Sequence, residues 1–97
     1  MKKVEFTQDY KKGKKLLFLK GENCPLCEAM LEKTEKELKQ NNIEISILKL
    51  EDHPKLRGQY MVFSYPTLLL LKDGKEIDRQ SGYFDFERVK KWSTTHS

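Results

Sequence analysis

The sequence predicts an α/β fold, a central mixed β-sheet flanked by helices, on three observations. Apolar residues gather at 16–19, 43–50 and 61–71, as buried strands do. Between the first two clusters Leu26, Met30, Leu31, Thr34 and Leu38 recur at spacings of three and four, the stripe of an amphipathic helix. Lys72–Asp73–Gly74–Lys75 is a hairpin signal, which adds an antiparallel pair to an otherwise parallel arrangement. A chain of 97 residues buries one modest core, so residues 1–97 are expected to form a single domain.

The elements follow in order. Val4–Phe6 is expected to be a short edge strand, and Asp9–Lys15, which contains Gly13, a turn or short helical connection. Leu16–Leu19 is apolar at every position, which predicts a central strand buried on both faces. A helix is expected from near Cys24 to about Gln40, with Pro25 in the first turn, where a missing N–H costs nothing. Ile43–Leu50 is rich in β-branched residues and predicts the next strand. Glu51–Pro54 reads as a turn and Lys55–Tyr60 as a short helix. Thr67–Leu71 and Glu76–Gln80 are the strands of the hairpin, and Asp85 is the expected cap of a last helix whose Phe86, Val89 and Trp92 face the sheet.

Composition narrows the function classes. The formal net charge of +4 is spread along the chain, and its densest run, Lys11, Lys12, Lys14 and Lys15, is that of a solvated turn. No zinc-finger spacing, recognition helix or aromatic–basic repeat points to nucleic acid, so none is expected as a partner. Met1–Lys3 is basic, but Glu5, Thr7, Gln8 and Asp9 interrupt any apolar segment after it, and Leu68–Leu71 is far too short to span a bilayer. A cytoplasmic monomer with no membrane association and no cofactor is the expectation.

Cys24–Pro25–Leu26–Cys27 lies where a buried strand hands over to a helix. Unpaired N–H groups and the helix dipole favour a thiolate there, so Cys24 at the helix mouth is the expected nucleophile. Cys27, one turn inward, is placed to resolve a mixed disulfide. Two other readings stand beside redox chemistry. Zinc normally takes four ligands, whereas this chain has two cysteines, with His53 and His96 at no recognised spacing. An inert structural pair needs no further residue. The position of the pair at a strand-to-helix junction favours the redox reading.

Two segments, LLFLKGENCPLCEAM at 16–30 and SYPTLLLLKDGKEIDRQSGY at 64–83, resemble the thioredoxin superfamily, and the resemblance extends over nearly the whole chain. It implies a thioredoxin-like fold and a thiol–disulfide oxidoreductase with a redox-active Cys24–Cys27 disulfide. Pro66 would be the cis-proline across from the cysteines, Tyr65 would offer backbone groups to a substrate chain, Thr67 would open the next strand, and Gly82 would shape the groove. Asn23, Pro25 and Leu26 would border the substrate. The implied partners are protein or small-molecule disulfides and an upstream dithiol or flavoprotein-type reductase.

The chain departs from the family pattern at three places. Asn23 stands where thioredoxins carry a tryptophan, and Pro25–Leu26 replaces Gly-Pro. A proline followed by an apolar residue is closer to glutaredoxins, which motivates a glutathione-linked alternative, although the Gly-Gly-Asp pattern of their glutathione site is absent around Gly82. Phe18 occupies the position of the family's buried aspartate, while the family's partner lysine resembles Lys49. Lys49 is therefore expected to turn outward or find another carboxylate, and water, Glu28 or Glu22 to serve as the base for Cys27. A non-enzymatic adaptor on the same scaffold is the alternative from a different class. Segment 7–15 is too short for the family's complete first helix, so a shortened N-terminus is expected. Phe84, Phe86 and Trp92 read as core residues, Tyr60, Tyr65 and Tyr83 as possible groove residues, His53 as a turn residue and His96 as part of a mobile tail.

Overall fold

The computed structural model describes residues 1–6 and 8–95; the expectation for His96 lies outside the described residues. The elements are β1 (Lys2–Lys3), a 3-10 turn (Gln8–Lys11), β2 (Lys14–Lys20), α1 (Pro25–Glu37), β3 (Glu44–Lys49), a 3-10 turn (Leu50–Asp52), α2 (Pro54–Tyr60), β4 (Thr67–Lys72), β5 (Lys75–Ser81) and α3 (Phe86–Thr95). The five strands form one mixed sheet in the order β1-β3-β2-β4-β5. β2 lies at its centre, parallel to β3 and antiparallel to β4, which explains why Leu16–Leu19 is apolar throughout.

Alternation along the strands divides the core in two. Leu16 and Phe18 of β2, Ile45 of β3 and Leu68 and Leu70 of β4 face α1 and α3, where they meet Met30, Leu38, Phe86, Val89 and Trp92. Leu17, Leu19, Leu48, Leu69 and Leu71 face the other way, onto Leu56, Tyr60 and Val62 in and after α2. Phe84, Phe86 and Trp92 are core residues as expected. Between β1 and β2 the described residues form the 3-10 turn Gln8–Lys11, on the α2 side of the sheet. Phe6 and Tyr10 pack against that half of the core, with Phe6 stacked on Tyr10 and edge-on to His53.

Some boundaries differ from the sequence reading. The first strand is Lys2–Lys3 rather than Val4–Phe6: its partners Glu44 and Ile45 set the register, and Val4 adds only its N–H to the Ile45 carbonyl. Helix α1 ends at Glu37 rather than near Gln40: Leu38 has left helical geometry at φ −103° and ψ 11°, and the carbonyls of Leu38, Lys39 and Asn41 beyond the helix accept from the Met1 ammonium. Leu50 leaves the strand for a 3-10 turn, and α2 begins one residue early at Pro54.

The hairpin turn has Asp73 at φ +52° and Gly74 at φ +80°, the left-handed pair that a two-residue loop between twisted strands requires. Asp85 caps α3 by accepting from the Arg88 N–H, and its own N–H donates to Gln80 Oε1. Among the described residues no helix is long and apolar enough to cross a membrane.

Candidate functional site

The site is assembled at one end of the sheet from three segments. β2 ends at Lys20, and the chain passes through Gly21–Asn23 into α1. β4 begins at Thr67, which pairs with Leu19, so Pro66 stands beside the exit of β2. β5 ends at Ser81, opposite Thr67, and the Gly82 N–H donates to the Pro66 carbonyl at 2.9 Å.

Cys24 is the N-cap of α1, in extended conformation, and its Sγ accepts the Cys27 N–H at 3.1 Å. The two cysteines are joined as a disulfide with Cα atoms 5.2 Å apart. Pro25 occupies the first helical position, where its missing donor is harmless. Cys24 is partly accessible, whereas Cys27 is completely buried. Asn23 has φ +49°, a left-handed conformation that asparagine adopts more readily than most residues, and this turn aims Cys24 into the helix mouth.

The Tyr65–Pro66 peptide bond is cis. The segment around it is pinned by the Thr67 hydroxyl, which donates to the Ser64 carbonyl at 2.8 Å and lies 3.0 Å from the Ser81 hydroxyl. Gly82 has φ +79°, where a side chain would be strained. The Tyr65 ring lies directly over Gly21: a Cβ added there would stand 2.2 Å from two ring carbons. This contact brings the proline turn against the segment that leads to Cys24, and the sequence reading gave Gly21 no part in the site.

Phe18, which the resemblance sets at the position of an aspartate in that family, is wholly buried and edge-on to Phe84. Lys49 turns outward and pairs with Glu22, as the sequence reading anticipated. The hydrogen bond from Lys49 and its charge hold the Glu22 carboxyl below its ordinary range, and the same contacts raise Lys49. A carboxylate held down in this way is a poorer proton acceptor, which weakens Glu22 as the base for Cys27. Glu28, directly after Cys27, lies 3.5 Å from the Lys20 ammonium. Lys20 and Lys49 are register partners at the ends of β2 and β3, so two ammonium groups border the start of α1.

Of the expected groove residues, Tyr65 and Tyr83 are exposed, while Tyr60 is not in the groove: it is buried, and its hydroxyl donates to the Gly74 carbonyl. Among the described residues no three His, Cys, Asp or Glu side chains converge as a metal site would require.

A family model described as a thioredoxin-like domain matches residues 2–96. The chain belongs to this thioredoxin-like family. It is 38% identical to a thioredoxin of Chlamydia caviae over 74 residues, 76% of this chain and 71% of that protein. It is 30% identical to the thioredoxin-like protein YdfQ of Bacillus subtilis, over 75% of this chain and 66% of that protein. Among solved structures, thioredoxin 1 of Thermosipho africanus has a TM-score of 0.65 at 29% identity, covering 82% of this chain and 90% of that one. A thioredoxin variant from Halobacterium salinarum has a TM-score of 0.75, covering 98% and 88%, and at 19% identity it bears on the fold alone. The thioredoxin-like chain is accordingly a thiol–disulfide oxidoreductase, and its cysteine pair stands in the family's CxxC arrangement.

Proposed function

We propose that this domain reduces disulfides of protein or small-molecule partners through a Cys24/Cys27 dithiol–disulfide cycle. The Cys24 thiolate attacks one sulfur of the partner disulfide, forms a mixed disulfide and releases the other sulfur as a thiolate. The Cys27 thiolate then attacks Cys24 Sγ and releases the second partner thiol. Two electrons have passed to the partner, which leaves as a dithiol after taking up two protons, and Cys24–Cys27 is oxidised. An upstream dithiol or a flavoprotein-type reductase restores the pair, in a reducing compartment such as the cytoplasm.

The observation that carries this reading is the asymmetry of the pair. Cys24 is accessible at the helix N-terminus, with the Cys27 N–H on its sulfur, while Cys27 is buried one turn behind it. In this reading Tyr65, Pro66 and Gly82, together with Asn23, Pro25 and Leu26, border the bound substrate. With Glu22 held down by Lys49, water or Glu28 takes the Cys27 proton. The test is single-turnover reduction of bis(2-hydroxyethyl) disulfide and of a protein disulfide by wild type and Cys27→Ser. The variant should stop at a mixed disulfide on Cys24, detected by mass; turnover by wild type with no such adduct in the variant would count decisively against the scheme.

A further inference from the structure

Exposed large apolar side chains are few among the described residues: Met61, Phe63, Tyr65, Ile77 and Tyr83. Tyr65 and Tyr83 belong to the neighbourhood of the groove. Met61 and Phe63, 68% and 64% exposed, lie beyond it, between the end of α2 and Tyr65. Exposure of this kind, concentrated beside a site, marks a surface that meets a partner.

This surface is built rather than loose. Met61 ends α2 in the left-handed conformation, at φ +53°, and the N–H groups of Met61 and Val62 both donate to the Arg57 carbonyl. The Arg79 guanidinium donates to the carbonyls of Tyr60 and Met61, while its charge is taken by Glu76. Val62 is buried between the two exposed side chains and anchors them to the core. The Arg57 guanidinium lies 5.8 Å from the Phe63 ring centre. No carboxylate among the described residues pairs with Arg57, and the exposed Lys55 lies on the same helix.

We propose that Met61, Phe63 and Arg57 form a docking platform for the polypeptide that bears the disulfide, and that it selects a segment carrying an apolar side chain next to a carboxylate. The ring and the thioether receive the apolar group, and the guanidinium, which stacks on the ring and pairs with no carboxylate among the described side chains, receives the carboxylate. Phe63 is two residues from Tyr65, so an extended segment whose cysteine is at Cys24 reaches the platform within a few residues. Because the platform is held in place before binding, little ordering is lost when it is occupied. This inference rests on the disulfide-exchange reading for its consequence in turnover, but not for binding.

Two short peptides, each closed by one disulfide, provide the test. One carries Leu-Glu beside each cysteine and its twin carries Ser-Lys. Wild type should favour the Leu-Glu peptide about tenfold in kcat/KM. Phe63→Ser and Arg57→Gln should each raise KM for it about fivefold, leaving kcat and the reduction of bis(2-hydroxyethyl) disulfide unchanged. In parallel, a linear Leu-Glu peptide with serine for cysteine should shift the NMR signals of Phe63 and Arg57 in a Cys24→Ser/Cys27→Ser protein, a readout that needs no redox chemistry. Equal treatment of both peptides by wild type and variants, or a linear peptide that leaves those signals in place, overturns the platform. So would signals that move with protein concentration alone, since the surface would then be covered by a second copy. Loss of bis(2-hydroxyethyl) disulfide reduction with peptide binding retained would instead remove the exchange reading and leave the platform standing.

Discussion

The ring of Tyr65 occupies the space that a side chain at position 21 would need, with ring carbons 2.2 Å from where a Gly21 Cβ would stand. Gly21 is thus a requirement of contact and not of backbone conformation, since its φ is not among the positive values. Gly21→Ala should push the ring aside and cost about 1–3 kcal/mol, the range of overpacking. Tyr65→Ala should remove that penalty, so the pair should be strongly non-additive in denaturant melts. Additive costs would show that the ring and Gly21 do not compete for one space.

The two cysteines should differ in reactivity once reduced. With Cys27 wholly buried and Cys24 at the helix mouth, limiting iodoacetamide at neutral pH should label Cys24 at least about tenfold faster. Peptide mapping by mass spectrometry decides this, and preferential labelling of Cys27 would reverse the assigned roles.

Phe18→Asp restores the family's carboxyl but not its partner, because Lys49 is directed outward to Glu22. The substitution loses the edge-on contact with Phe84 and buries a polar group among apolar side chains, so a loss of about 3–5 kcal/mol is expected in urea melts at pH 7. A loss below about 1 kcal/mol would mean that the site is wetter or looser than its packing indicates.

Asp78 joins the edge strand β5 to α3. It accepts from the Arg88 guanidinium and from the Trp92 indole N–H, the latter at 2.9 Å. Burial works against its charge, but the hydrogen bonds from Arg88, Trp92 and the Arg79 N–H outweigh it and hold the carboxyl below its ordinary range. A carboxyl depressed in the folded state contributes stability that is fully present above its unfolded pKa and lost as pH falls through the folded one. Melts of wild type should therefore lose this contribution as pH drops below the ordinary aspartate value of 3.8, and Asp78→Asn should show a shallower acid slope with a cost of about 1–2 kcal/mol at pH 7. Identical acid slopes would rule the contribution out.

Much of the fold is legible in the sequence because burial on both sheet faces leaves strands such as Leu16–Leu19 without polar positions. The Asp73–Gly74 pair identifies its hairpin for an equally local reason. Element ends are less legible when distant groups set them. The place where β1 pairs depends on Glu44 and Ile45, and the carbonyls just past α1 are satisfied by the Met1 ammonium, and neither partner is visible in the local pattern. At the site, Cys24, Cys27 and Pro66 stand out by motif. Gly21 does not, because its role arises from a ring 44 positions away in the chain, and Tyr60 misleads because an aromatic near the groove in sequence points to the opposite side in space. Asn23 carries a usable signal, since asparagine before a helix cap is a frequent left-handed residue.

The Gly13 N–H donates to Asp73 Oδ1 at 2.8 Å, and the Asp73 N–H returns a bond to the Gly13 carbonyl at 2.9 Å. Beside this clamp, β4 is nearly a leucine repeat, Leu68–Leu71, with leucine on both faces of the sheet. Sliding such a strand by one residue exchanges leucine for leucine, so its side chains are almost mute about alignment. The alignment is instead written at its two extremities, by the reciprocal Gly13–Asp73 bonds at one and by the Thr67 hydroxyl between Ser64 and Ser81 at the other. A degenerate strand is thereby indexed like a ruler held at both ends, and the proline turn next to the cysteines is aligned in part by a clamp at the opposite end of β2 and β4.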